Sequence, residues 1–375
     1  MRLLIPPTAR PQASVVVVTF GAWGWAERAF RALVEHTWEP YELIVVDNGS
    51  GPGLLRRLEE SVSGARVIRN PGNVGFGPAC NQGAAAARGR HLVFLNSDAL
   101  VTPGWLGPLM ARAEAGAGAV GPMLLNLDGS LQEAGAAVWR GGETDQTGAG
   151  DDPGLPEHGF PRVVDYVSGA CMAVRRAAFE AVGGFDPAYA PAYSEDVDLC
   201  FALAARGMPA VYEPRSRVVH ARGASSPKER ALALVLRNRA IFRSRWRSRL
   251  AGRPELPVPL ERRDLLALRD AVASVRILVL ADRVPEPGDP AGRLIGAIAR
   301  GWPDARVSLV APEAGGPLAS ASMRDLGVEA VPGAGAGWLA ERAGHYDVVV
   351  SAGRSDGTRA LEAAAAASQA RAARI

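Results

Sequence analysis

The sequence has few cysteines, and those it has are scattered. Only three occur in 375 residues, Cys80, Cys171 and Cys200, and none of them forms a Cys-x-x-Cys pair. An odd number of distant thiols argues against a disulfide framework and against a cysteine-based structural zinc site. It is typical of a protein in a reducing cytosol. We therefore interpret all three cysteines as small core residues.

Long hydrophobic runs are also missing. The apolar patch at residues 3–7 is broken by two prolines and is too short for the core of a signal peptide. No uncharged apolar stretch approaches the ~20 residues that span a bilayer. The composition, 48% hydrophobic and 22% charged, is that of a soluble or peripheral protein. We predict that the chain works in the cytoplasm, or at the inner face of the cell membrane.

Several nucleotide and catalytic motifs are absent. Gly21-Ala-Trp-Gly24 has the wrong spacing for a dinucleotide fingerprint, and the chain contains neither a phosphate-binding Gly-x-x-x-x-Gly-Lys-Ser/Thr loop nor a Gly-x-Ser-x-Gly elbow. These absences argue against a dinucleotide oxidoreductase, a P-loop nucleotidase and an α/β hydrolase. The net charge of only +3 and the lack of the usual fold signatures predict no nucleic-acid partner.

Apolar strands alternate with helices in the first part of the chain. This pattern predicts a mostly parallel sheet covered on both faces by helices. The predicted strands are 14–19, 42–47, 66–68 and 91–95, and the helices between them are 26–37, 53–61 and 78–88. Further on we predict a helix from Pro103 to about residue 115, a surface loop at 141–161, strands at 167–174, 211–212 and 217–220, and helices at 176–182 and 227–250.

A second α/β pattern begins at residue 275. Strands are predicted at 275–280, 306–310 and 346–350, with a helix at 291–300 and an alanine-rich helix at the end. We therefore divide the chain into a first domain at 1–250, a proline-rich linker with a connecting helix at 251–274, and a small Rossmann-like unit at 275–375, in which no sharp catalytic motif is visible.

Polar residues follow the predicted strands of the first domain. Ligands of open α/β sheets bind beyond the carboxyl ends of the strands, and the residues at these ends are Thr19, the group Asp47-Asn48-Gly49-Ser50, the segment Asn70–Gly77 with Asn81, and Asn96-Ser97-Asp98. Each group alone is also explained by turn formation. Asp98 can hold a divalent cation that binds a diphosphate. His220, which ends another strand, can add an imidazole ligand that favours manganese. A lone histidine, however, is more often structural.

An acidic helix start is the other chemical feature. Ser194 is a good N-cap, and Gly207 is placed where a helix would end. Glu195, Asp196 and Asp198 then lie in the first turn, where the helix dipole stabilises carboxylates. A carboxylate fixed there is suited to act as a general base, but helix-start chemistry alone also explains it.

The order of these motifs resembles family 2 inverting glycosyltransferases, in particular the rhamnosyltransferase-like enzymes of cell-wall and O-antigen assembly. The resemblance covers about residues 13–246. It rests on Val-Val-Val-Thr-Phe (16–20), Val-Val-Asp-Asn-Gly-Ser (45–50), Asn-Val-Gly-Phe-Gly (73–77) with Asn81, Leu-Asn-Ser-Asp (95–98), Ser-Gly-Ala-Cys-Met-Ala-Val (168–174), Gly-Gly-Phe-Asp (183–186), Glu-Asp-Val-Asp-Leu (195–199) and Val-His-Ala-Arg-Gly-Ala-Ser (219–225).

The resemblance implies a fold and a set of site residues. It implies a single-lobed GT-A fold around a nucleotide-binding sheet, with Asp196 as the catalytic base beside Glu195. Asp98 matches the last acid of the family's Asp-x-Asp motif, in which Asn96 takes the first position here, and His220 matches a histidine that completes the site for Mn²⁺ or Mg²⁺. The implied sugar-nucleotide contacts are Thr19, Asp47, Asn48, Asn73, Gly75, Asn81, Asn96, Ser97 and Asp98, and the acceptor side is Ser168, Gly169 and Asp198.

Asp198 is better explained as a structural carboxylate, because it points to a different helix face from Asp196. The resulting hypothesis is a metal-dependent inverting transfer of a hexose, or a deoxyhexose such as rhamnose, from a nucleoside-diphosphate sugar to a glycan or lipid-linked acceptor.

Two alternatives remain. A sugar-nucleotide pyrophosphorylase would carry a basic residue in the loop Phe20-Gly-Ala-Trp-Gly-Trp25, which has none. An inactive nucleotide-sugar-binding or scaffold protein is disfavoured by the retained Asp98, Asp196 and His220.

Two further regions leave open interpretations. The arginine-rich stretch 237–249 is either a basic surface for anionic lipid headgroups and a lipid-diphosphate acceptor, or a solvated helix face that packs through its apolar side, which we slightly favour. The C-terminal unit weakly resembles half of a two-lobed glycosyltransferase, and we predict no activity for it.

Overall fold

The computed structural model describes residues 2–21, 23–222, 228–316 and 318–372. The chain divides into two compact units. Unit 1 comprises Met1–Asp151 and Val164–Gly252, and unit 2 comprises Asp152–Val163 and Arg253–Ile375. The short segment 152–163 groups with unit 2 although it interrupts unit 1, which the sequence pattern did not indicate.

Unit 1 is built on a large mixed sheet. The strands in residues 1–220 are β1 Leu3–Leu4, β2 Ala13–Thr19, β3 Tyr41–Asp47, β4 Val62–Ser63, β5 Arg66–Arg69, β6 His91–Asn96, β7 Ala99–Val101, β8 Ala119–Leu125, β9 Leu131–Glu133, β10 Ala136–Val138, β11 Thr144–Gln146, β12 Arg162–Val164, β13 Cys171–Arg175 and β14 Ala210–His220. β1 pairs with β4 and β10 pairs with β11 in two separate two-stranded sheets, and the other strands form the large sheet. The sheet order is β12-β14-β8-β13-β6-β2-β3-β5, with β7 paired to β14 and β9 to β8. Strands β6, β2, β3 and β5 are parallel, whereas β13 runs antiparallel to β6.

Helices cover this sheet. They are α1 Trp23–His36, α2 Pro52–Ser61, α3 Phe76–Ala85, α4 Leu106–Glu114, α5 Arg176–Ala181, α6 Glu195–Ala204, α7 Lys228–Arg245 and α8 Arg247–Leu250. α1 buries Ala26, Ala29, Phe30 and Leu33, the spacing of one helix face. α3 packs so closely on β2 that a Cβ at Gly83 would lie 2.3 Å from Val16 Cγ1. Close packing on a buried strand therefore requires glycine at position 83.

Several predicted boundaries were wrong. The helix predicted from Pro103 starts only at Leu106, because Gly104 has a φ of +74° and keeps residues 102–104 in a turn. The two short strands predicted at 211–220 are the single strand β14, which has a bulge between Glu213 and Arg217. The helix predicted at 227–250 is divided into α7 and α8, and residue 227 lies outside the described residues.

The segments between α4 and β13 hold strands that the sequence did not indicate. β8 lies inside the sheet between β13 and β14, and β9 extends it by pairing with β8. The predicted loop 141–161 contains β11, which pairs with β10, and a 3₁₀ turn at Pro156–His158. This region supplies two side chains of the site described below.

Unit 2 is a smaller α/β unit with a parallel sheet in the order β17-β16-β15-β18. Its strands are β15 Arg276–Leu280, β16 Arg306–Ala311, β17 Val328–Pro332 and β18 Val348–Ser351, and its helices are α9 Arg262–Arg269, α10 Pro290–Gly301, α11 Ala319–Asp325, α12 Ala336–Ala340 and α13 Asp356–Ala372. Strand β17 and helices α11 and α12 were not predicted. None of the helices in the described part of the chain combines the length and apolar character needed to cross a bilayer.

Candidate active site

The carboxyl ends of three parallel strands place Thr19, Asp47 and Asn96 side by side. Thr19 pairs with Asp47 across β2 and β3, and Val18 pairs with Asn96 across β2 and β6. The Thr19 hydroxyl lies 3.5 Å from Asp47 Oδ1, which also accepts a 3.3 Å bond from the Ser50 amide. The Asp47 residue is 1% exposed. Its carboxylate is therefore held rigidly at the rim of the sheet.

Asn48 shapes the next loop. Its Nδ2 donates to Asn73 Oδ1 at 2.9 Å and to the Gly75 carbonyl at 3.3 Å, while its Oδ1 accepts from the Val74 amide at 3.1 Å. Gly75 has a φ of +99°, and a Cβ there would lie 3.0 Å from Pro191. Asn48 and Gly75 thus organise the backbone that runs into α3.

Asn81 uses its amide to join α3 to the segment before α6. Its Nδ2 donates to the Phe185 carbonyl at 2.7 Å, and its Oδ1 accepts from the Phe185 amide at 3.0 Å. Phe185 is fully buried against Phe94 and Phe179. Asn81 therefore has a structural role, and its contact with a nucleotide stays a prediction.

Asp98 and His220 meet next to the end of β6. Asp98 lies in the two-residue turn between β6 and β7, and β7 pairs with β14 so that Ala99 faces His220. His220 Nε2 lies 3.2 Å from Asp98 Oδ1 and 3.3 Å from Asn96 Nδ2. The side chains of His220 and Asp98 are 12% and 15% exposed, respectively.

Gln132 orients the imidazole of His220. Its Nε2 donates to the His220 carbonyl at 3.0 Å and to Asn126 Oδ1 at 2.9 Å, so its Oε1 faces His220 Nδ1 at 2.7 Å. Because a carbonyl oxygen can only accept, Nδ1 carries a proton, and Nε2 is the ring nitrogen that faces Asp98. Sequence reasoning missed Gln132, since it lies on the unpredicted strand β9.

This pair fits a divalent cation. In a neutral imidazole, Nε2 of His220 carries a lone pair. This lone pair and Asp98 Oδ1, 3.2 Å away, repel each other unless a cation or a proton lies close to both. Two neighbouring ligands of an octahedral Mg²⁺ or Mn²⁺ ion are about 3 Å apart, given metal–oxygen distances near 2.1 Å. The bond from Gln132 is the kind of contact that fixes a metal-binding histidine. A carboxylate oxygen and an imidazole nitrogen are both common ligands of divalent cations.

Asp196 is held by backbone amides at the start of α6. Its Oδ2 accepts from the Gly169 amide and its Oδ1 from the Val197 amide, both at 2.9 Å. Burial raises the pKa of Asp196. Ser194 occupies the predicted N-cap position, but its φ is +70° and its side chain forms no capping bond. The backbone, not a serine hydroxyl, positions this carboxylate.

Glu195 is buried beside Asp196. It is 7% exposed, and its Oε2 has no hydrogen-bond partner among the described residues. Burial, and then the charge of Asp196, raise the pKa of Glu195 to about 8. Burial thus favours the protonated form of Glu195 at neutral pH, and its role beside Asp196 stays a prediction.

Glu133 is a third acid that sequence reasoning missed. It is 2% exposed, and its carboxylate accepts from the Ser168 amide at 3.1 Å and from Gln146 Nε2 at 3.0 Å. Burial raises its pKa to about 7. The consecutive amides of Ser168 and Gly169 thus hold Glu133 and Asp196 respectively. No sequence signal pointed to Glu133, because strand β9 consists only of Leu131, Gln132 and Glu133.

These groups form one connected cluster in unit 1. The amide of Asn96 donates to the Ala170 carbonyl at 2.9 Å, which joins the turn of Asp98 to the segment that holds Asp196. From the other direction, His220 contacts Gln132, and the adjacent Glu133 contacts Ser168. Segments more than 120 residues apart in sequence therefore meet at the strand ends that also carry Asp47.

Asp198 is hydrogen-bonded to side chains that are not part of this cluster. It is 4% exposed and accepts bonds from the Tyr189 hydroxyl at 2.9 Å, from Trp246 Nε1 at 2.7 Å and from Arg245 at 2.7 Å. All these partners are protein groups, so the structural interpretation of Asp198 fits better than a place on the acceptor side.

The motif at 219–225 ends in residues 223–225, which lie outside the described residues.

The arginine-rich helices are largely engaged within unit 1. Arg245 also pairs with Asp186, Arg239 pairs with Glu143 at 3.0 Å, and Arg237 donates to the carbonyl oxygens of residues 188 and 190. These contacts favour the packed-helix interpretation of residues 237–249 over a basic surface reserved for lipid.

Comparisons with known proteins identify relatives of the first part of the chain. The family model described as glycosyl transferase family 2 matches residues 14–183. An N-acetylglucosaminyl-diphospho-decaprenol L-rhamnosyltransferase of Mycobacterium tuberculosis is 30% identical over 256 residues, which cover 61% of this chain and 82% of the relative. The O-antigen biosynthesis protein RfbC of Myxococcus xanthus is 31% identical over 60% of this chain, which spans only 18% of that protein. An uncharacterized protein of Sinorhizobium fredii is 29% identical over 61% of this chain and 27% of its own length.

One solved structure has a comparable fold. The crystal structure of GalNAc-T7 with UDP, GalNAc and Mn²⁺ superposes with a TM-score of 0.52 at 19% identity, covering 66% of this chain and 50% of that chain. At this identity the likeness concerns the fold alone.

Proposed function

This chain belongs to glycosyl transferase family 2, and we propose that it transfers a hexose, or a deoxyhexose such as rhamnose, from a nucleoside-diphosphate sugar to a glycan or lipid-linked acceptor hydroxyl. The chain is a glycosyltransferase with the GT-A fold. The rhamnosyltransferase relative supports the choice of sugar and of a lipid-linked acceptor. With such an acceptor, the enzyme would work at the inner face of the cell membrane.

The single observation that carries the proposal is the connection between Asp196 and the Asp98–His220 pair. The segment 168–170 contacts both, through the Gly169 amide on Asp196 and the Ala170 carbonyl on Asn96. A sugar diphosphate bound at Asp98 would therefore have its anomeric carbon close to a carboxylate. This is the arrangement that an in-line displacement requires.

Asp196 is the proposed general base. Its two backbone hydrogen bonds fix the carboxylate, and its raised pKa makes it a better proton acceptor than an ordinary aspartate. A single displacement needs one base and inverts the anomeric carbon. Glu195 stays protonated beside it, so it adds no second negative charge where the acceptor hydroxyl loses its proton.

The donor would lie along the strand ends. Asp47 is the proposed partner of the nucleobase or ribose of the donor. Beside it would lie Thr19, Asn48 and Asn73. The path from there to Asp98 would be lined by Gly75, Asn96 and Ser97. Asp98 and His220 would hold Mn²⁺ or Mg²⁺, and Gln132 would keep His220 in the tautomer that can bind it. When bound, the metal neutralises the charge of the departing diphosphate.

The test separates donor binding from chemistry. Nucleotide sugars are screened by calorimetry with and without Mn²⁺, and the donor that binds is then followed for slow hydrolysis. We expect Asp196→Asn to lower the hydrolysis rate by about 10²–10⁴-fold, with donor affinity retained. Asp128→Asn, at an exposed turn, is the matched control and should hydrolyse the donor at the normal rate. Equal hydrolysis by Asp196→Asn would remove Asp196 from its proposed role.

A further inference from the structure

An arginine-lined cavity lies at the end of the unit 1 sheet opposite to the candidate active site. Its volume is about 460 Å³. Arg88 and Arg90 precede the first residue of β6, and Arg175 pairs with that residue, His91. The candidate active site lies at the other end of β6, and a six-residue strand spans about 20 Å. The charged residues that line the cavity are Arg10, Arg88, Arg90, Arg175, Arg176 and Glu180.

Protein carboxylates neutralise only part of this positive charge. Arg88 pairs with Glu42 at 2.8 Å, Arg90 with Glu114 at 2.6 Å, and Arg176 with Glu180 at 3.6 Å. Neither Arg10 nor Arg175 forms an ion pair with any residue in the described ranges. The cavity therefore has two positive charges in excess.

Arg175 also has a hydrogen-bonding group that the protein leaves unsatisfied. Its Nε is shielded from solvent and has no hydrogen-bond partner among the described residues. Among the residues that the structure describes, its Nη2 contacts only the sulfur of Met208, at 3.9 Å, and a thioether is a weak acceptor. Arg175 lines the cavity, and its guanidinium lacks an oxygen acceptor among the described residues, so an oxygen of a bound ligand would supply one.

We propose that this cavity binds a phosphate-bearing anion. The planar fork of a guanidinium matches two phosphate oxygens, and two excess charges match a phosphate dianion. The volume is within the range of small-molecule sites. The site is separate from the donor site, because the whole length of β6 lies between them. The phosphate belongs either to a soluble phosphate ester or to the headgroup of an anionic lipid.

Calorimetry with inorganic pyrophosphate tests the site. Titrations are made with EDTA present, so that no divalent metal can attract the probe to Asp98 and His220. We expect Arg10→Gln and Arg175→Gln each to weaken binding about tenfold or more, as the loss of a charge-assisted hydrogen bond does. The Arg10 side chain is exposed, so Arg10→Gln gives a result even if Arg175→Gln folds poorly.

The control is a double substitution with a larger loss of charge. Arg56 and Arg57 are exposed on α2 and do not line the cavity, so Arg56→Gln/Arg57→Gln should bind pyrophosphate like the parent protein. Parent protein that fails to bind the probe would overturn the proposal, and so would equal affinity in all variants.

Sedimentation with phosphatidylglycerol vesicles then identifies the source of the phosphate. Vesicle binding that is lost in Arg10→Gln and kept in the control supports a lipid headgroup as the ligand. Pyrophosphate binding without any vesicle binding supports a soluble phosphate ester at the same site.

Discussion

Replacing Glu195 with glutamine tests the buried, protonated state of this side chain. The native environment raises the pKa of Glu195 from 4.5 to about 8, chiefly through burial. Between these two pH values the folded protein keeps a proton on Glu195 that the unfolded chain has released. Because the folded state binds more protons there, stability falls as the pH rises. Glutamine resembles the protonated acid in shape and does not titrate.

The expected magnitude follows from this window. One proton of difference changes the free energy of unfolding by about 1.4 kcal/mol for each pH unit. Between about pH 5.5 and about pH 7.5, the free energy of unfolding of the parent protein should therefore fall by about 3 kcal/mol more than that of Glu195→Gln. Glu133, whose pKa is raised to about 7, also makes the free energy of unfolding depend on pH. Both proteins contain Glu133, so its contribution cancels in the comparison.

Urea denaturation at constant ionic strength, repeated across this pH range, measures the difference. The quantity of interest is how the stability gap between the two proteins changes with pH, because this removes any constant packing effect of the substitution. Glu60→Gln, at an exposed position of α2, is the control and should leave the pH dependence unchanged. Parallel stability curves for parent and Glu195→Gln would refute the argument.

Two further predictions concern residues next to the proposed site. Gln132→Leu removes the acceptor of the hydrogen bond from His220 Nδ1. We therefore expect the Mn²⁺ affinity, measured by calorimetry, to fall about 10–100-fold. Unchanged affinity would show that the tautomer of His220 is set in another way. Asp198→Ala leaves the Tyr189 hydroxyl and Trp246 Nε1 without their acceptor and removes one of the two carboxylates that pair with Arg245. Because each unsatisfied donor costs about 1–3 kcal/mol, we expect unfolding in urea to show a loss of about 2–6 kcal/mol. A loss below about 1 kcal/mol, the range of a surface ion pair, would contradict the structural role of Asp198.

The alternating apolar segments of the first 100 residues were sufficient to predict the parallel part of the sheet. Strands Ala13–Thr19 and Tyr41–Asp47 contain the continuous apolar runs 15–18 and 43–46, and such runs are typical of buried parallel strands. The polar residues that follow them could be assigned to one rim for the same reason. The family and the fold class were therefore predicted correctly from motifs near these strand ends.

The strands between α4 and β13 could not be predicted in the same way. Strands β9 and β10 are only three residues long, and the pairing of β9 with β8 determines where its side chains point. Gln132 and Glu133 therefore became visible only through contacts with His220 and Ser168, which come from distant parts of the chain. A single sequence carries no signal for such contacts. Backbone conformation overrode the N-cap preference of Ser194 in the same way, because its φ of +70° keeps the side chain from capping.

The central claim is that Asp98 and His220 hold a metal on the donor diphosphate, while Asp196 acts on the acceptor. Calorimetric titration of the donor with and without Mn²⁺, carried out on Asp98→Asn and Asp196→Asn side by side, tests it most directly. We predict that Asp98→Asn loses the increase in donor affinity that Mn²⁺ produces and that Asp196→Asn keeps it. An undiminished effect of Mn²⁺ in Asp98→Asn would contradict the account.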